Sequence, residues 1–134
     1  MREIKFRAWN AVEQKMHHVT RLSWEYPIGL EINGSIITGF IESLMQYIGY
    51  ADRNGTDIYE ADILKDLFDR ILLVEWRRDR WCFKALSETN FRYACTINQW
   101  FEGDTAAVTI IGNRFETPEL MESVVMLPPI KDGE

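Results

Sequence analysis

Asn54-Gly55, set within Leu44–Leu64, constrains this chain more than any other pair of residues. Both members accept positive φ, and such a pair between apolar runs makes a tight turn whose twist suits two antiparallel strands. Phe40, Leu44, Met45 and Ile48 are spaced as on one face of a helix, so periodicity alone leaves the segment ambiguous. Gly49 and the turn that follows decide for a strand over 44–48. Asp57 precedes Glu60 by three positions, a capping pattern that predicts one helical turn over 58–62. This fixes a local plan and names no reaction.

The flanking sequence repeats the theme. Ile4, Phe6 and Ala8 alternate with Lys5, Arg7 and Trp9, which predicts a half-buried strand. Asn10–Gln14 is turn-like, and Met16–Leu22 reads as the return strand of a hairpin. Pro27, Gly29, Gly34 and Gly39 break 23–43 into fragments, with short strands expected at Leu30–Ile32 and Ser35–Thr38. Residues 70–76 (Arg-Ile-Leu-Leu-Val-Glu-Trp) are rich in β-formers, Arg77–Arg80 is a charged turn, and 81–86 returns in alternation. Residues 92–101 alternate again, and Val108–Ile111 is a last strand stopped by Gly112-Asn113. Thr117-Pro118-Glu119 opens a short helix expected over 117–125, packing Leu120, Met121 and Val124. Residues 126–134 read as a tail.

The expected fold is therefore mainly β (α+β at most): one domain over 1–134, with an N-terminal β-hairpin region (1–43) and a small curled sheet or barrel (44–125). Composition agrees where it bears on the matter. Aromatic residues make up 13% of the chain, and such side chains bury well on sheet faces. The formal charge is −6, which gives no general attraction to nucleic acid. Cys82 and Cys95 form no CxxC pattern, and no leader-like or long apolar segment is evident. The expectation is a soluble cytoplasmic protein with free thiols, whose proximity the sequence leaves open.

Chemistry-bearing patterns are few. Asp52, Asp57, Glu60, Asp62, Asp66 and Asp69 crowd one stretch, and Asp52-Arg-Asn-Gly55 invites comparison with a calcium loop. The comparison fails, because the glycine comes too early and Ile63 stands where a bidentate glutamate is needed. A solvated acidic loop is the expectation, with no metal and no cofactor. His17 and His18 are neighbours on a strand and point to opposite faces, so one packs and one meets solvent. No nucleophile elbow, phosphate-cradling loop or nucleophile–base motif is present. The one binding-flavoured run is Trp76-Arg77-Arg78-Asp79-Arg80-Trp81, a hairpin tip able to stack on bases or grip phosphates. Alternation instead puts Trp76 and Trp81 with the apolar positions of their strands, which favours a solvated turn over two core indoles.

Met1–Trp9, Lys15-Met16, Met45–Gly49, Asp52–Gly55, Ile58–Glu60 and Asp62-Ile63, in this order, resemble the YopX family of bacteriophage and prophage proteins. Ile111-Gly-Asn113, Phe115-Glu116 and Pro118-Glu-Leu120 look like its closing motif. The resemblance implies an SH3-type barrel in the C-terminal half, a phage or prophage origin and no known activity. Asn54, Gly55, Tyr59 and Asp62 fall in the family motif and are read as structural turn residues. The family usually carries Gly where this chain has Ala61. If that position requires positive φ, alanine there costs about 1 kcal/mol, or else the turn has shifted.

The leading expectation is an accessory protein that binds a protein partner or itself without catalysis. The first alternative is association with nucleic acid through Trp76, Arg77, Arg78, Arg80 and Trp81. A remote one is an enzyme using Asp62 or Glu60 as acid or base, which would call for an enclosed pocket holding a carboxylate of raised pKa.

Overall fold

The structure is a computed structural model that describes residues 3–23, 29–32, 35–37, 43–87, 89–102 and 106–122. The described residues are mainly β: twelve strands, a 3-10 helix and one α-helical turn. The chain divides into two compact units, Met1–Gly49 and Tyr50–Glu134.

In the first unit, β1 (Phe6–Asn10) and β2 (Lys15–Val19) form the expected hairpin, with Phe6 opposite Val19. Asn10 Oδ1 accepts the N–H groups of Val12 and Glu13 and so closes the turn. Ile4 precedes β1 and is exposed, and both Trp9 and Asn10 are buried, so the alternation holds only around Phe6–Ala8. The expected strand Met16–Leu22 is two strands, β2 and β3 (Arg21–Ser23). They break at Thr20, whose N–H and hydroxyl both turn to the Glu31 carbonyl. β3, β4 (Gly29–Ile32) and β5 (Ser35–Ile37) make a separate sheet, matching the fragments expected there. Thr38, Phe40 and much of the remainder of 23–43 lie outside the described residues. Ala8, Val19 and Ile32 form the core, with Phe6, Leu22 and Leu44 packed on it. His17 lies 3.5 Å from Glu13 with little exposure, while His18 faces solvent, as alternation predicts.

β6 (Leu44–Ala51) pairs with β1 over Leu44–Gln46 and runs past Gly49, which sits inside the strand at φ +94°. Its last residues enter the second unit and lead through the Asn54-Gly55 turn to β7 (Asp57–Tyr59). Residues 58–62 are not helical. Glu60-Ala61 form a two-residue turn into β8 (Asp62–Asp66), because the buried Asp62 carboxylate accepts the Tyr59 N–H across the turn. That bond satisfies the donor which a helical cap would have served.

Ala61 stands at φ +74°, as a position suited to glycine would. Relief of about 1 kcal/mol on Ala61→Gly is opposed by a lost buried methyl (about 0.8 kcal/mol) and a freer unfolded chain (about 0.4–1 kcal/mol). The substitution is therefore expected to lower stability by only about 0.2–0.8 kcal/mol in urea unfolding, because these terms largely offset one another. A shift well beyond that in either direction would contradict the balance.

β9 (Ile71–Arg77) and β10 (Arg80–Ala85) form a hairpin closed by Arg78-Asp79 alone, with Trp76 opposite Trp81 and Arg77 opposite Arg80. The expected strand over 92–101 is confined to β11 (Tyr93–Ala94), and Ile97–Phe101 is a 3-10 helix. The helix tucks Ile97 and Trp100 inward, with the Trp100 ring edge-on to Phe83 at 5.2 Å. β12 (Val108–Asn113) runs through Gly112-Asn113 with a register shift between Ile110 and Gly112. A Cβ on Gly112 would collide with Thr117 Oγ1, which explains glycine at this close approach. The helix α1 (Glu119–Glu122) follows; 123–125, with Val124, lie outside the described residues.

The sheet order β11-β10-β9-β8-β12 leaves its two outer strands unpaired with each other, so the expected barrel is an open, curled half-barrel. Both faces are covered in part. By pleat and register, Leu64, Leu72, Val74, Phe83 and Trp81 share one face with Asp66. Ile63, Leu73 and Leu86 pack on the other, under Ile71, Leu120 and Met121.

Candidate functional site

The acidic stretch does not form the expected solvated loop: Asp52, Asp62 and Asp66 are all buried. Burial is tolerated because backbone N–H groups face these carboxylates. Asp52 Oδ1 accepts from Asn54 and Thr56 within its own turn, and Oδ2 accepts from Ile110 on β12. Gly55 supplies φ +83° at this turn. Asp62 serves the Glu60-Ala61 turn, whose neighbour Tyr59 is itself buried. Among the described residues, no three His, Cys, Asp or Glu side chains are grouped so as to hold a metal ion.

Two concavities stand out in the second unit. The first, about 440 Å³, is lined by Asp66, Leu67, Phe68, Arg70, Phe91, Gln99 and Trp100 with two small residues. It is built on the β8–β9 turn. Asp66 Oδ1 accepts the N–H groups of Phe68 and Arg70 and holds that turn closed. Asp66 Oδ2 accepts from Arg70 Nε at 2.6 Å and from the Trp100 indole at 3.4 Å. Arg70 then lies 5.2, 5.3 and 5.9 Å from the ring centres of Phe68, Phe91 and Trp100. One carboxylate thus orients a guanidinium among three rings. At the lip of this cleft Leu67 is 63% and Phe68 79% exposed, an apolar pair at a turn.

The second concavity, about 780 Å³, lies at the β9–β10 turn and is lined by Arg77, Arg78, Asp79, Arg80, Cys82, Tyr93 and Cys95. Alternation puts Arg77, Arg80 and Cys82 on the face opposite to Trp76 and Trp81. The indoles stack edge-on with each other at 4.9 Å, but only Trp81 is buried; Trp76 is 48% exposed. The ring that accompanies the arginines is Tyr93, with the Arg77 guanidinium carbon 3.7 Å from its centre. Cys82 and Cys95 are not free thiols but a disulfide across β10 and β11. The register explains the pairing, because Phe83 opposite Ala94 puts the two cysteines directly opposite one another. Sequence spacing gave no hint of Tyr93 or of this bond, since both depend on which strand lies beside β10.

Neither concavity holds a carboxylate suited to give up a proton near neutrality. Burial pushes the Asp66 carboxyl up, but donors from Arg70, Phe68 and Trp100 together outweigh it and hold it below its ordinary value. The Arg80 guanidinium, by hydrogen bond and by charge, lowers Asp79. Both are acceptors.

The fold and these surfaces define a small, mainly β protein built on a curled antiparallel sheet, with one aromatic and one arginine-lined hollow. The chain belongs to the YopX protein family, whose model matches residues 5–122. It is also similar to the crystal structure of protein EF1440 from Enterococcus faecalis, with 25% identity and a TM-score of 0.56 over 91% of this chain and 100% of that one. No curated protein matches it. No helix among the described residues is long and apolar enough to cross a membrane.

Proposed function

We propose that this YopX protein is a phage or prophage accessory protein that binds a protein partner, or a second copy of itself, without catalysis. The observation that carries the reading is the apolar tip Leu67-Phe68 beside the aromatic cleft of Phe91, Trp100 and Arg70. Large exposed apolar side chains rimming a hollow are typical of contact surfaces, and aromatic and arginine residues anchor them. The buried carboxylates of Asp52 and Asp62 support it further, since their oxygens accept from backbone N–H groups.

The proposal includes the host cytoplasm as the setting, with the Cys82–Cys95 bond retained there. Affinity capture from host cells under alkylating conditions tests both parts. The parent chain is expected to retain a partner, or to sediment as an oligomer, and Leu67→Asp/Phe68→Asp to lose it while keeping its circular dichroism. Identical captures by parent and variant, or a lone monomer in both, would remove the reading. Unmodified cysteines fit the retained bond; two alkylated ones would show it reduced in that setting.

A further inference from the structure

We propose that the hollow at the β9–β10 turn is a phosphate-binding site, with Arg77, Arg78 and Arg80 as its donors and Tyr93 as the residue that positions Arg77. This site is separate from the Leu67-Phe68 surface and does not depend on it.

Three guanidinium groups and one carboxylate line the hollow, which gives its lining a net positive charge within a chain of net charge −6. That reversal of sign attracts an anion to this place and not to the surface at large. The guanidinium is also matched in shape. It presents N–H donors in a plane that meets phosphate oxygens in pairs. The Arg77 guanidinium carbon lies 3.7 Å from the Tyr93 ring centre, a cation–π contact that positions its side chain at the hollow. Arg80 Nε is 3.1 Å from Asp79 Oδ1, which steadies its side chain without filling the hollow. Arg78 occupies the two-residue turn at φ +59° and is exposed. The Cys82–Cys95 disulfide lines the hollow, offers no strong acceptor to compete with a ligand, and ties β11, hence Tyr93, to β10.

A phosphate can arrive on a free nucleotide or within a single strand of nucleic acid, and both present the same oxygens. The test separates them. Inorganic phosphate and adenosine monophosphate are titrated into nitrogen-15 labelled protein at low salt, and a fluorescein-labelled oligodeoxythymidylate is followed by anisotropy. Shifts at Arg77, Arg78, Arg80 and Tyr93 with the small phosphates alone identify a small ligand. Tight anisotropy binding whose log–log salt slope falls by about 1 in Arg78→Asn identifies a strand.

In either case Arg78→Asn, a residue suited to the left-handed turn, is expected to weaken binding about tenfold, the worth of one charge-assisted contact. Tyr93→Ala should weaken it several-fold, with Tyr93→Phe restoring it, because the ring and not the hydroxyl supports Arg77. Leu67→Asp/Phe68→Asp should bind as the parent does. No response to any of the three probes, or an unchanged Arg78→Asn, overturns the site. An unchanged Tyr93→Ala overturns the positioning role.

Discussion

Asp66→Ala is expected to destabilise the protein by about 3–5 kcal/mol, the cost of breaking a buried ion pair from one side. The substitution removes four acceptor contacts at once: the N–H groups of Phe68 and Arg70, the Arg70 side chain and the Trp100 indole. It also leaves the Arg70 guanidinium among three rings with no counter-charge. The Arg70 side chain is 27% exposed, so water relieves part of this and the lower end of the range is expected. The pH dependence follows from the direction of the shift. A carboxyl held lower in the folded chain than its ordinary 3.8 stabilises fully above the unfolded value and loses that contribution as pH falls through the folded one. Urea unfolding from about pH 5 downward should therefore show the parent losing stability faster than Asp66→Asn. Parallel curves for the two proteins would mean that Asp66 is not the group that titrates.

Asp52→Ala is the second large effect, about 3 kcal/mol, from leaving several backbone donors without an acceptor. The N–H groups of Asn54 and Thr56 lie in an exposed turn and can find water. The Ile110 N–H lies on β12 and loses the bond that ties the β6–β7 turn to the sheet. Asp52→Asn should fall between alanine and the parent. Its amide has one oxygen and cannot accept on both sides, so one set of donors always meets an NH₂ group. Thermal unfolding of the three proteins checks the order, and equal melting temperatures for asparagine and parent would show that the bond to Ile110 carries no weight.

How far the sequence could be read depended on the range of the interactions. The Asn54-Gly55 turn, the 71–77 and 80–85 hairpin and the split of the two histidines were legible because each rests on neighbours in the chain. Residues 92–101 were not. Their alternation looked like a strand, but Trp100 is drawn onto Phe83 and toward Asp66, and those contacts lie 17 and 34 positions away. Burial of Asp52, Asp62 and Asp66 was missed for the opposite reason. Charge density suggested solvent, whereas the carboxylates face inward and serve as local substitutes for backbone acceptors. The arginine-lined hollow was half legible. Arg77, Arg78 and Arg80 stood out in the sequence, but the pleat sends Trp76 and Trp81 to the other side, and Tyr93 takes the place expected of an indole.

The two ends of the five-stranded sheet have a common property. At one, the outward backbone of β12 is occupied, since Ile110 N–H meets Asp52 and the Val108 carbonyl accepts from Arg53. At the other, β11 is two residues long and cross-linked to its neighbour. Each rim is thus a poor template for another chain to zip onto. Growth by ladder extension is closed off in this half, and whatever docks there must do so by interlocking side chains.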